Sequence, residues 1–372
     1  MSDREGAAGR RAADAIPTGV GLIAIFVVSR LILVVIALIV EANVPMQAGG
    51  SASSAPILRS LTASDGPWYV GIASSGYHVE ALRGPFHDYV FFPLFPIVVR
   101  AASILTLGDV ALAAVLVANV AFAVAIVVFE RVSRPLLGAA GALTATAFLA
   151  FAPGAVAFAM AYTDSLFLLL SLLAVVAARR GSYALMGGLF ALAALTRLPG
   201  IVLVVPLAVV LGEREGWRLH RAWLWLLGGP IALAGFLAYL WALTGDALAY
   251  PRAQAAWNNP PDTVAPPGLP NIPTTVIVLA LIGVVAFYLF QLVYLRTSRI
   301  QRADAAYALA GLLTLALTAR IVSLPRYLAV LWPFPWLLTS RRSSLFQRLA
   351  LAGFVVAYAG FAFLDFTTLV AA

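Results

Sequence analysis

Lysine and cysteine are both absent from the 372 residues. Without lysine there is no Schiff-base amine and no phosphate-loop lysine. Without cysteine there is no thiol nucleophile, disulfide or thiolate metal site. Charge is scarce as well: 11% of residues are charged, against about 25% in soluble proteins. Hydrophobic residues reach 62%, where about 45–50% is usual, and the mean hydropathy is +0.97. This balance excludes a soluble enzyme, a disordered chain and a disulfide-stapled domain, and leaves an all-α polytopic integral membrane protein. The net charge of +8 comes from 24 arginines scattered along the chain. They read as topology signals rather than as a nucleic-acid-binding face.

Residues 1–17 are small and polar and carry Arg4, Arg10 and Arg11, as expected of a flexible cytoplasmic tail. The apolar run 20–40 is longer than a signal-peptide core and long enough to cross about 30 Å of hydrocarbon. Further apolar runs lie at 91–107, 109–130, 136–158, 163–178, 182–196, 199–211, 222–243, 273–295, 304–319, 326–339 and 346–364. Two polar stretches interrupt them, at 42–90 and 244–272; with the 91–107 segment the first makes up a loop at 42–108. The arginine distribution selects between two topologies. If 91–107 lies along the interface or re-enters, 16 arginines fall on the side of the N-terminus and seven on the other, with Arg30 inside the first span. Short-loop arginine bias sets orientation, so this arrangement is preferred. Pro93 and Pro96 also favour a broken juxtamembrane helix there. The expectation is roughly 11 spans, N-terminus inside, both polar loops outside, and residues 18–372 forming one domain.

On the outer face this topology collects Asp65, Glu80 and Asp88, with His78 and His87, and then Asp164, Arg197, Arg320 and Arg326. Charges at membrane depth are costly, so each needs a reason. Asp65 precedes Gly66-Pro67-Trp68-Tyr69 and also reads as the N-cap of a short interfacial helix, with Pro67 near its first turn. Asp164 after Thr163 has the same two readings. The histidines lack a metal-binding spacing, so a divalent metal stays open without a motif behind it, and the sequence specifies no certain cofactor. Arg30 lies too deep to snorkel and should face protein. Ser51, Ser53 and Ser54 have no His/Asp framework near them in sequence.

The stretch Asp65-Gly66-Pro67-Trp68-Tyr69-Val70-Gly71-Ile72-Ala73-Ser74-Ser75-Gly76-Tyr77 resembles the first-loop motif of the GPI mannosyltransferase II (PIG-V) family. Glu80, Phe91-Phe92-Pro93-Leu94-Phe95-Pro96 and Arg100 continue the resemblance. So do Ala161-Tyr162-Thr163-Asp164-Ser165-Leu166-Phe167, Leu195-Thr196-Arg197-Leu198-Pro199-Gly200 and Leu324-Pro325-Arg326-Tyr327, in the family's order. Ser64 stands where the family usually has Trp, and the interval from Glu80 to Phe91 is longer. The all-arginine, alanine-rich composition fits a bacterial member in the plasma membrane.

The resemblance implies a GT-C type fold and a glycosyltransferase with a polyprenyl-phosphate sugar donor, mannose being the family expectation. The acceptor would be a glycolipid or glycan on the outer face. A phosphate leaves without full protonation, so one carboxylate suffices where glycoside hydrolases use a pair. Asp65 is the expected general base of an inverting transfer. Arg326, then Arg197, then Arg320 are expected to bind the donor phosphate. Asp164, Glu80, Trp68, Tyr69, Tyr77 and His87 are expected to bind the acceptor or assist. The alternative from another class is a lipid or sugar transporter or flippase, which would place broken helices and charge near the midplane and often carry an inverted repeat. The sequence shows no repeat.

Overall fold

The first helix, α1 (Thr18–Asn43), buries Leu22, Ser29, Leu33, Ile36, Ala37 and Val40. Those positions recur every three or four residues and define one helical face. Its other side exposes Val20, Ile23, Val27, Leu31 and Val35, an apolar surface suited to lipid rather than water. The computed structural model describes residues 18–43, 53, 55–82, 85–218, 220–258, 301–318, 324–340 and 343–370. The tail 1–17, the apolar run 273–295, residues 259–272 of the second polar loop, and Arg320 lie outside them.

Every regular element among the described residues is helical. After α1 come α2 (Pro56–Leu61), α3 (Gly66–Ser75), α4 (Leu94–Ala102) and α5 (Val110–Ala150). Then follow α6 (Asp164–Arg179), α7 (Tyr183–Ala194), α8 (Val204–Glu215), α9 (Gly228–Thr244) and α10 (Ala249–Asn258). The last four are α11 (Arg302–Thr318), α12 (Leu324–Ala329), α13 (Pro333–Thr339) and α14 (Ser344–Val370). Among the described residues, four helical stretches are long and apolar enough to cross a membrane: Thr18–Asn43, Val110–Ala150, Arg221–Thr244 and Ser344–Thr367. The other apolar runs among the described residues form shorter helices.

Several of those runs break where the local chemistry requires it. Helix α5 is two helices joined at Gly138, whose φ of 72° few residues other than glycine adopt. The run 136–158 stops being α-helical at Ala150 and continues as a 3₁₀ segment, Pro153–Phe158. The run 326–339 divides into α12 and α13, with Pro333 opening the second piece. Helix α4 has nine residues, about 14 Å at 1.5 Å per residue, too short to cross the hydrocarbon. In the second polar loop, α10 folds back so that Trp257 donates from Nε1 to the His87 carbonyl at 3.0 Å.

One continuous apolar core joins α1, α5, α6, α8, α11, α13 and α14 around the Pro153–Phe158 segment. That segment meets α12 at van der Waals limits. A Cβ built on Gly154 would lie 2.0 Å from the Pro325 carbonyl oxygen and 2.4 Å from the Arg326 nitrogen. Only a residue without a side chain lets the two backbones approach this closely. Gly154→Ala is therefore expected to push α12 away and to cost about 1–3 kcal/mol, the usual range for overpacking. Thermal unfolding of the purified variant should show a lowered Tm together with lost activity.

Candidate active site

Asp65 is placed by a sharp turn between α2 and α3. Ser64 has a φ of 57°, in the left-handed region that non-glycine residues seldom occupy. Strain of this kind clusters at functional sites. Gly66 N–H closes the turn on the Ala63 carbonyl at 3.0 Å. Asp65 does occupy the N-cap position of α3, with Pro67 in the first turn, but its side chain makes no capping hydrogen bond. Instead Oδ2 accepts from Arg326 Nη1 at 2.5 Å.

Asp164 behaves the same way. It begins α6 behind Thr163, and no side-chain cap forms there either. Its Oδ1 accepts from Arg197 Nη1, and its Oδ2 forms an ion pair with Arg326 Nε at 3.2 Å. The four residues form a single chain: Asp65, Arg326, Asp164, Arg197. Exposure rises along it, from 0% and 6% for the side chains of Asp164 and Arg197 to 19% for Arg326 and 25% for Asp65. The Asp65 end thus faces open space while the Arg197 end is locked in protein.

Aromatic rings complete the cluster. The Arg326 guanidinium lies over the Tyr162 ring at 4.7 Å, and that of Arg197 over Tyr327 at 4.4 Å, distances suited to cation–π attraction. Tyr162 Oη accepts from the Asp65 N–H at 3.4 Å, and Ala161 N–H donates to the Leu61 carbonyl at 2.8 Å. These contacts zip the 61–65 turn to the 161–164 turn. Burial, reinforced by the Asp65 charge, pushes the Tyr69 and Tyr162 hydroxyls well up. Both stay protonated and neither serves as a base.

The cluster opens into a cavity of about 190 Å³ bounded by Asp65, Tyr69, Arg197, Arg326, Tyr327 and Phe91, among others. Beside it runs a larger apolar groove of about 530 Å³, bounded by Ile72, Tyr77, Pro96, Ile97, Phe236 and Tyr239, with Arg100 on its rim. The wall between them is thin. Phe91 and Phe92 line the cavity while Pro93 lines the groove, and Thr196 lines the cavity while Leu195 lines the groove. Leu94 N–H donates to the Leu195 carbonyl at 3.0 Å, tying the two segments together. Tyr77 Oη donates to the Phe91 carbonyl at 2.5 Å.

The remaining sequence candidates fall in different places. Tyr77 lines the groove rather than the cavity. Trp68 is buried, stacked on Phe91 at 5.5 Å and edge-on to Trp257 at 5.2 Å, so it supports the cavity wall from behind. Glu80 is exposed and lines neither space. His87 stacks on Tyr89 at 4.8 Å. His78 Nδ1 pairs with the buried Asp88 at 3.0 Å, which clasps the 78–88 loop at its ends. No group of three or more His, Cys, Asp or Glu among the described residues is arranged to hold a metal. Arg30 donates from Nη2 to the Phe158 carbonyl at 3.2 Å and lies against Phe26 and Phe122. Sequence reasoning overlooked Tyr162, Tyr327, Tyr250, Gln254 and Trp257. The first two lie inside the matched motifs, whereas the other three come from α10 and share no pattern with them.

The chain is a bundle of apolar helices with acidic and basic groups gathered over one cavity. Its overall fold is shared with solved structures of ArnT. ArnT from Cupriavidus metallidurans bound to undecaprenyl phosphate superposes with a TM-score of 0.51 at 16% identity, covering 92% of this chain and 76% of ArnT. ArnT in the apo state gives a TM-score of 0.50 at 16% identity, over 95% and 77%. No curated protein matches the chain. The sequence profile of the mannosyltransferase (PIG-V) family matches residues 21–214. The chain belongs to that family and is an integral membrane protein.

Because Asp164 holds two guanidiniums, its loss should be felt in stability as well as activity. Breaking a buried pair typically costs about 3–5 kcal/mol. Asp164→Asn is expected to lower the Tm sharply. Adding Arg197→Met should recover part of that loss, because the second change removes the stranded cation. Thermal unfolding of the two single variants and the double variant checks the coupling.

Proposed function

We propose that the chain is an inverting, polyprenyl-phosphate-sugar-dependent mannosyltransferase that works on the extracytoplasmic face of the bacterial plasma membrane. Residues 18–372 act as one catalytic unit, with the N-terminus cytoplasmic. The observation that carries this reading is the Asp65–Arg326 pair at the mouth of a polar cavity, one wall away from an apolar groove. A carboxylate base, a guanidinium for phosphate and a channel for a hydrocarbon chain are the three parts such a transfer needs.

The donor's isoprenoid chain occupies the groove and its sugar enters the cavity. ArnT, which shares the fold, has been crystallised with undecaprenyl phosphate, and a lipid of that kind suits a groove walled by Ile72, Ile97 and Phe236. On donor binding, the phosphate takes the place of Asp65 on Arg326. The freed carboxylate then accepts the proton of the acceptor hydroxyl as that oxygen attacks the anomeric carbon. The new glycosidic bond forms as the bond from the anomeric carbon to the phosphate oxygen breaks. Polyprenyl phosphate leaves with the electron pair, and Arg326, backed by Arg197, balances the charge that develops. Tyr69, held protonated, donates a hydrogen bond within the cavity. The acceptor is a glycolipid or glycan hydroxyl, approaching past Tyr250 and Trp257.

Asp65→Asn keeps the size of the side chain and removes the base. It should abolish transfer from polyprenyl-phosphate-mannose by purified protein while leaving the Tm near that of the unmodified chain; near-normal turnover would remove Asp65 from its role. Arg326→Ala should raise KM for the donor and slow turnover, and an unchanged dependence on donor concentration would contradict the phosphate assignment. Gly235 borders the groove with open space around its Cα. Gly235→Phe should raise KM at least about tenfold for a long-chain donor, by filling apolar space, and much less for a donor with one or two isoprene units. Equal effects on both donors would argue against a chain in this groove.

A further inference from the structure

Two guanidiniums outside the active site border a groove that the transfer reaction does not use. It runs between α1 and α5 and has a volume of about 560 Å³. Thr18, Arg131 and Arg134 wall one end, and Leu22, Ile23 and Val127 wall the other. The helices are antiparallel here: Arg134 Nη2 donates to Thr18 Oγ1 at 2.9 Å, and the lining moves up α1 as it moves back along α5. The groove therefore grades from charged at the helix end to apolar about two turns inward. Glu130, buried between the helices, accepts from Arg134 Nε at 2.9 Å and from Nη2 at 2.7 Å. This pair fixes the Arg134 fork and answers one of the two positive charges. Arg134 Nη1 and the whole Arg131 guanidinium make no hydrogen bond or ion pair among the described residues, and both residues are exposed. The place is far from the candidate active site. Glu41, about 35 Å further along α1, pairs with Arg59 of α2 at 3.6 Å, beside the Asp65 turn.

Free cationic donors at the end of an apolar groove match an amphiphile with an acidic head. Guanidinium groups bind phosphate through charge-assisted hydrogen bonds, and the apolar end accepts a hydrocarbon chain, which a free phosphate lacks. Helix α1 is long and apolar enough to cross a membrane. Val20, Ile23 and Val27 are exposed on its flank, so the groove is open to the bilayer and its occupant is a lipid. We propose that an anionic phospholipid binds between α1 and α5, in the leaflet opposite the catalytic cavity. Its phosphate sits on Arg131 and on Nη1 of Arg134, and an acyl chain runs inward over Leu22, Ile23 and Val127. Glu130 is the positioning residue that holds Arg134 to the rim. This site takes part in no transfer step and stands whether or not the chain uses a polyprenyl-phosphate donor.

The test titrates the full chain, in a neutral detergent, with phosphatidylglycerol, phosphatidylcholine or glycerol phosphate. Binding is read by native mass spectrometry and by the shift in Tm. Phosphatidylglycerol should bind more tightly than phosphatidylcholine and raise the Tm further. Arg131→Gln should weaken phosphatidylglycerol about tenfold, the usual worth of a hydrogen bond to a charged group, and leave phosphatidylcholine unchanged. Arg131→Lys should restore most of the loss. Gly19 lines the groove with open space around its Cα, so Gly19→Phe fills it and should also weaken phosphatidylglycerol about tenfold or more, while the Glu130–Arg134 pair stays in place. The two substitutions act on opposite ends of the lipid, so either one that folds carries the measurement. Equal affinity for the two lipids, or unchanged affinity in Arg131→Gln, overturns the headgroup site. Glycerol phosphate binding as tightly as phosphatidylglycerol, or unchanged affinity in Gly19→Phe, overturns the chain in the groove and with it the lipid.

Discussion

The arrangement of this protein depends on one guanidinium. Arg326 lies between two carboxylates that belong to distant parts of the chain, Asp65 before α3 and Asp164 at the head of α6. Taking such groups out of water costs several kcal/mol per ion unless each charge is answered nearby. The chain meets that requirement by bringing the 61–65 turn, the 161–164 turn, the 196–199 turn and α12 to one place. Backbone contacts then hold what the charges demand: Ala161 on Leu61, Leu94 on Leu195, and Gly154 against Pro325. The helices supply apolar bulk, and the ion-paired chain dictates how their ends meet.

The same charges that order the ends also divide the chemistry. The Asp164–Arg197 end is almost wholly buried, with Arg197 bordering the cavity, and acts as a frame. The Asp65 end opens to the cavity, where its partner can be exchanged for an incoming anion. A carboxylate already bound to an arginine is masked at rest. Under the proposed function, a substrate phosphate competing for that arginine would unmask it, so base and donor would become available together. This couples the proton acceptor to occupancy of the site and needs no moving domain.

Much of this could be read from the sequence because membrane proteins have so few charges. Scarcity made Asp65, Asp164, Arg197 and Arg326 conspicuous, and motif order tied them to one family. The choice between capping and chemistry could not be made without coordinates, since aspartate before an apolar run serves both. The structure separates them: both acids hold N-terminal positions and neither caps. Trp68 and Glu80 show the opposite limit. An aromatic or acid in a functional loop gives no sign in sequence of whether it faces the cavity, the core or the surface. The short α4 followed from Pro93 and Pro96, whereas the run 326–339, read as one piece, divides into α12 and α13 at Pro333. The cavity wall formed by Tyr250, Gln254 and Trp257 did not, because those residues come from a polar loop with no periodic signal.

The partition between cavity and groove has a consequence for descent. Two crossing segments build it, 91–94 and 195–197, and adjacent residues on each face opposite compartments. A substitution that reshapes one side shifts the backbone that lines the other. If the cavity takes the sugar and the groove the carrier lipid, as proposed, the two preferences are inherited as a linked pair. A lineage that changes its carrier would then have to retune its sugar pocket at the same stroke, and drift in either preference would be held in check by the other.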